Sequence, residues 1–167
     1  MEHVDFDEVT PEPNPMGVHE DRRPVGRLLG AEDVALVYYE LEPGESFSGG
    51  MHRHHDQEEI FLVRAGTATF ERPEGEEDVV VSAGEAIRFA PGEWQMGRND
   101  PATGEETVRA LAVGAPGQMH DFGELESLNH CRDCDEETAH EVDLTDDYAF
   151  ELTCTECGVS WMIGGAG

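Results

Sequence analysis

From Val34 onward the chain alternates short apolar runs with glycine, proline and acidic breaks. Val34-Ala-Leu-Val-Tyr-Tyr-Glu-Leu stops at Pro43-Gly44, Glu59-Ile-Phe-Leu-Val-Arg stops at Gly66, and Thr67-Ala-Thr-Phe-Glu-Arg stops at Pro73. Val79-Val-Val follows before Gly84, Glu85-Ala-Ile-Arg-Phe-Ala before Pro91-Gly92, and Thr107-Val-Arg-Ala-Leu-Ala-Val before Gly114. Runs of this length, rich in β-branched and aromatic residues and separated by turn formers, predict strands. With no amphipathic helix of useful length among them, the expected fold class is an all-β sandwich or barrel.

The same texture divides the chain. Residues 1–24 hold Pro11, Pro13, Pro15 and Pro24 and little hydrophobic periodicity, which predicts an extended acidic arm. Residues 25–118 form the β-barrel, 119–128 an acidic linker, and 129–167 a small module carrying all four cysteines.

Strand alternation also places side chains. In His52-Arg53-His54 the two imidazoles share a face and Arg53 points away; after a short loop, Glu59, Phe61 and Val63 share a face in the next run. If that face is the interior, two imidazoles and a carboxylate converge in an apolar cavity, a donor set that suits Fe(II) and related divalent metals. The alternative is a solvated acidic loop with incidental histidines. By the same parity Ile87 and Phe89 join Phe61 and Val63 as cavity-lining candidates, as core first and ligand contacts second. Ile60 and Leu62 point outward and need a cover, either the N-terminal segment or a second protomer.

Charge changes the picture next. The chain has 38 Asp and Glu against ten basic residues, all Arg, for a formal net charge of -28. The arm has seven acids and two Arg, residues 25–118 eighteen and seven, and residues 119–167 thirteen and Arg132 alone. Such a surface repels phosphate backbones and anionic lipids, which argues against nucleic-acid and membrane partners. Self-repulsion is mostly screened where the Debye length falls to about 3 Å, at 1 M salt. Full replacement of Lys by Arg resembles proteins of salt-accumulating haloarchaea. The apolar runs argue against an acidic disordered chain. The N-terminus has neither a basic start nor a hydrophobic stretch, so a cytoplasmic protein is expected.

Here the sequence resembles the cupin family. The first cupin motif, His-x-His, three or four residues, Glu, six residues, Gly, is matched by His52-x-His54, four residues, Glu59, six residues, Gly66. A glycine normally precedes it, and Gly44 stands one position farther than usual. The second motif, Gly, five residues, Pro-x-Gly, two residues, His, three residues, Asn, is matched in spacing by Gly84, Ala90-Pro91-Gly92, Gln95 and Asn99, with Ala90 at the proline. The resemblance covers residues 33–115 and implies a double-stranded β-helix, or jelly-roll barrel. It also implies a divalent transition metal (Fe, Mn, Ni or Zn) on His52, His54 and Glu59, a small-molecule ligand and a homodimer. Gln95 departs from the pattern, standing where the family has its fourth imidazole ligand. It is either a weak ligand through its neutral oxygen or a hydrogen-bond partner of buried backbone or of Glu59.

Cys131-Arg-Asp-Cys134 and Cys154-Thr-Glu-Cys157 are two knuckles nineteen residues apart. Two such turns brought together make a tetrahedral thiolate site for structural Zn, and with strands expected over 139–145 and 148–153 the module looks like a zinc ribbon. Two disulfides or a thioredoxin-like redox pair are the competing readings. The acidity of the module points to a structural or protein-contacting appendage.

Two function classes follow. One is a metal-dependent enzyme of isomerase, hydrolase or dioxygenase type, with Tyr38, Tyr39 and His55 as nearby titratable groups and no identifiable general base. The other is a non-catalytic ligand-sensing protein whose zinc ribbon contacts a partner protein. His120, His130 and His140 lack matching context and are expected on the surface.

Overall fold

A computed structural model describes residues 1–12, 14, 16–118, 124–146 and 149–164. His120, Tyr148 and residues 119–123 of the expected linker lie outside the described residues. The described residues are almost entirely β, with one four-residue helix, α1 (Val25–Leu28), and a 3-10 turn at Phe6–Glu8.

The strands, in chain order, are β1 (Asp21–Arg23), β2 (Ala35–Leu41), β3 (His52–His54), β4 (Glu58–Ala65), β5 (Thr67–Glu71), β6 (Val79–Ser82) and β7 (Ala86–Phe89). They continue with β8 (Met96–Arg98), β9 (Val108–Ala115), β10 (Leu125–Cys131), β11 (Glu136–Leu144), β12 (Ala149–Cys154) and β13 (Ser160–Gly164). One sheet has the order β1-β2-β9-β4-β7, a second β6-β5-β8 and a third β13-β12-β11-β10-β3, all antiparallel. Paired backbone bonds between His52 and Gln95, 3.0 and 2.9 Å, tie the third sheet to the chain that enters β8.

Alternation along β4, β9 and β2 works as the sequence predicts. Phe61 and Val63, Ala110 and Ala112, and Tyr39 and Leu41 turn inward and are buried. They meet the opposite wall in an aromatic cluster of Phe47, Phe61, Phe70 and Phe89, with ring centroids 4.9 to 6.3 Å apart. The motif glycine Gly66 adopts φ +70, and a Cβ there would stand 2.8 Å from the Thr107 carbonyl oxygen, so the β4–β5 turn demands glycine. Asn99 is fully buried and donates to the carbonyls of Leu41 and Glu106 at 2.8 and 2.9 Å, stapling the loop after β8 to both neighbours.

The arm is less free than its prolines indicate. Asp21, Arg22 and Arg23 pair with Glu40, Tyr39 and Tyr38, adding an edge strand to the first sheet. On the outer face Phe6 packs on Tyr38 at 5.3 Å, and α1 brings Gly26 so close to Leu36 that a Cβ would meet its backbone nitrogen at 2.8 Å. The N-terminal segment thus covers the outside of β2. Ile60 and Leu62, with their partners Val113 and Leu111 on β9, stay half-buried.

The stretch expected as linker is partly strand. Leu125, Glu126 and Ser127 pair with His54, Arg53 and His52, so the four-cysteine module continues the sheet that carries the two histidines. The physical reason is on the outer face of that pair: Arg53 donates to Glu126 at 2.7 Å, His55 lies 3.2 Å from the same carboxylate, and the Arg53 guanidinium stacks 4.4 Å over Trp94.

Candidate metal centre

Three of the expected ligands meet. One ligand atom each from His52, His54 and Glu59 lies within 4.8 Å of the others. The imidazoles of His52 and His54 sit edge to face at 5.0 Å, and His54 Nε2 is 3.6 Å from Glu59 Oε2. His52 Nδ1 donates to the Gly50 carbonyl at 2.9 Å, which fixes the tautomer and leaves Nε2 with its lone pair toward the site.

Burial shapes the electrostatics. It pushes the Glu59 carboxyl up to about 7, a rise that the Gln95 hydrogen bond partly offsets. It lowers His52, which favours the neutral, ligating imidazole. A half-buried, desolvated carboxyl beside two imidazoles is a donor set that fits a divalent cation, which needs neutral imidazoles and an ionised carboxylate. A metal held there would act as a Lewis acid or redox centre on a bound oxygen ligand.

Gln95 is not placed as a cavity group. It is 2% exposed, stands behind Glu59, and donates from Nε2 to Glu59 Oε2 at 2.7 Å. This contact is one a hydrogen-bond partner that orients the carboxylate would make.

The site opens on a cavity of about 500 Å³, within the usual range for small-molecule sites. Phe61 lines it beside Glu59, together with Tyr39, Ala112 and Gly114. Val63, Ile87 and Phe89, expected on its wall, are not among its lining residues: Val63 and Phe89 are buried in the core cluster, and Ile87 packs against that cluster. Their inward parity is right, but their depth puts them in the core below the cavity floor.

Other lining groups escaped sequence reading. His19, from the arm, is 1% exposed; its Nδ1 donates to the Ser46 carbonyl at 2.8 Å, and its ring packs edge-on against Tyr39 at 5.3 Å. Arg22 enters from β1, 3.4 Å from Glu12. Leu125, Val142, Leu152 and Ile163 arrive from the C-terminal sheet. The signal for Leu125 is the alternation Leu125-x-Ser127-x-Asn129, which is visible once the segment is read as a strand. Of the remaining histidines, His140 is not on the surface: it is fully buried, its ring 4.5 Å from that of Trp161. His130 is exposed.

The four cysteines form a second cluster. Cys131 and Cys157 Sγ are 3.6 Å apart, Cys134 and Cys154 Sγ 3.9 Å, and all four lie within 4.8 Å. Four sulfurs at about 2.3 Å from a zinc ion define a tetrahedron with edges of about 3.8 Å, whereas a disulfide needs about 2.05 Å. Each knuckle closes alike: Asp135 N–H bonds the Cys131 carbonyl and Gly158 N–H the Cys154 carbonyl, both at 2.9 Å, with Asp135 and Gly158 at φ 58 and 74. The Thr138 hydroxyl, 3.3 Å from Cys154 Sγ, and the knuckle's backbone N–H groups pull the Cys154 thiol down to about 6.

The barrel has the cupin-type double-stranded β-helix fold. Residues 37–114, a little under half the chain, match the family described as Cupin_2: Cupin domain. Among curated proteins no sequence matches. Three solved structures share the fold at low identity. The polyketide cyclase RemF from Streptomyces resistomycificus is 23% identical with a TM-score of 0.57, over 88% of this chain and 89% of that one. A sugar phosphate isomerase from a cupin superfamily, from Silicibacter pomeroyi, is 17% identical with a TM-score of 0.56, over 98% and 92%. A predicted oxalate decarboxylase from Thermotoga maritima is 24% identical with a TM-score of 0.56, over 69% and 99%. Among the described residues, no helix is long and apolar enough to cross a membrane.

Proposed function

We propose that the protein is a metal-binding cupin that binds or transforms a small molecule at a divalent transition metal (Fe, Mn, Ni or Zn) held by His52, His54 and Glu59. The convergence of those three donors on a ligand-sized cavity carries the reading. Gln95 acts through Glu59, so three protein ligands leave open positions for a ligand oxygen. We further propose that Cys131, Cys134, Cys154 and Cys157 hold a structural Zn, on the strength of their near-tetrahedral spacing.

A non-catalytic, ligand-sensing role is the second reading. It is favoured by the replacement of the fourth imidazole by Gln95, which turns to Glu59; in it the acidic ribbon contacts a partner protein. The half-buried apolar face of Ile60, Leu62, Leu111 and Val113 supports a homodimer. The all-Arg, strongly acidic composition supports life in a salt-rich cytoplasm.

Metal content at high salt tests the two sites together. The parent chain is expected to carry two metals, and His52→Ala and Cys131→Ser one each, with a different one lost. Unchanged content in His52→Ala refutes the barrel site, and unchanged content in Cys131→Ser refutes the thiolate site.

A further inference from the structure

The cavity over the metal centre has walls from two sheets. The first sheet contributes Glu59, Tyr39, Phe61 and Ala112, and the C-terminal sheet contributes the imidazoles of β3 and, beside them, an apolar patch interrupted by Ser127 and Asn129. There Leu125 on β10, Val142 on β11, Leu152 on β12 and Ile163 on β13 all reach the same cavity. Register explains why they share a face: Val142 stands directly opposite Leu152, and Leu152 is two pairs removed from the Phe150–Ile163 pair. The face is held over the barrel by the pairing of Leu125 with His54 and Ser127 with His52, so its position is set relative to the ligand-bearing strand itself.

We propose that the C-terminal sheet is the specificity wall of the barrel site, and that the ligand is a small amphipathic acid. Its anionic oxygen head binds at the metal and its apolar body lies against Leu125, Val142, Leu152 and Ile163. This rests on the metal reading above. A divalent cation with two neutral imidazoles and one carboxylate leaves a net positive pole, complementary to an anionic oxygen. The aliphatic wall beside that pole offers hydrocarbon, where only an apolar group avoids a desolvation cost. A small, fully polar acid would use the head site and leave the wall unused.

Straight-chain carboxylates from acetate to octanoate, titrated calorimetrically into the metal-loaded full chain at high salt, test this. Affinity should rise roughly fourfold per added methylene, the factor for burying one CH₂, until the cavity is filled. In Leu152→Asn and in the less buried Ile163→Asn the increment should fall toward onefold, while acetate affinity and metal content stay at the parent value. A flat series in the parent, or an undiminished increment in both variants, overturns the wall. His52→Ala separates the two readings: carboxylate binding that survives loss of the barrel metal overturns the metal-bound head but not the metal site.

Discussion

Leu125 stands opposite His54 across an antiparallel pair, so the strand that delivers Cys131 to the thiol cluster also flanks the strand that delivers two imidazoles to the barrel. Leu125 and Cys131 are six residue steps apart along β10, about 20 Å of extended chain. The two clusters are therefore ends of one sheet, and order at one end supports the other.

Stripping metal from the thiol cluster should loosen that sheet. Cys131→Ser is expected to lower barrel-metal affinity on the order of tenfold, although no cysteine touches the barrel site. Competition with a fluorescent chelator reads this; parent-like barrel affinity in Cys131→Ser would separate the two ends.

Gln95 supplies the Glu59 carboxylate with its hydrogen bond, so Gln95→Leu should cost about 10- to 100-fold in barrel-metal affinity. Gln95→His would place an imidazole at the same backbone position and should tighten binding above the parent. Equal affinities in all three chains would show that position 95 neither orients nor ligates.

Glu59 sets a pH signature in the metal-free protein. Burial raises its folded pKa to about 7 from 4.5, so the folded state holds this proton more tightly than the unfolded chain. That contribution is fully present below about 4.5 and is lost as pH rises through about 7. Relative to Glu59→Gln, the metal-free parent should lose on the order of 3 kcal/mol between pH 4.5 and 7.5. Denaturant titrations at fixed high salt measure the difference. A pH-independent difference would contradict a desolvated Glu59.

Leu62 and Leu111 face each other on the outer side of β4 and β9, half-buried in the single chain. Sedimentation velocity should find the parent as a dimer and Leu62→Glu as a monomer. A parent of one-chain mass would leave that face to other partners.

Much of the barrel was legible because its signals are local. Alternation in Glu59-x-Phe61-x-Val63 and turn formers at Gly66 and Pro91-Gly92 state strand, face and break within a few residues. The clustering of the candidate donors was legible for the same reason, since His52 and His54 share a face by parity alone. What escaped depends on distant partners. The Asp21-Arg22-Arg23 strand has no apolar alternation and forms because β2 offers an edge to pair with. Leu125–Cys131 reads as an acidic connector until β3 is placed beside it, and the inward turn of His140 depends on Trp161 arriving from β13. Depth within the barrel is equally invisible: Phe61 and Val63 have the same parity, yet Phe61 lines the cavity and Val63 lies in the core.

The central claim is that His52, His54 and Glu59 hold a divalent transition metal, and an anomalous diffraction map of a Mn²⁺-soaked crystal tests it most directly. The account predicts a manganese peak about 2.2 Å from the two imidazoles and the Glu59 carboxylate, with the Gln95 carboxamide outside the coordination sphere. An anomalous peak elsewhere in the chain, with these three side chains unligated, would contradict it.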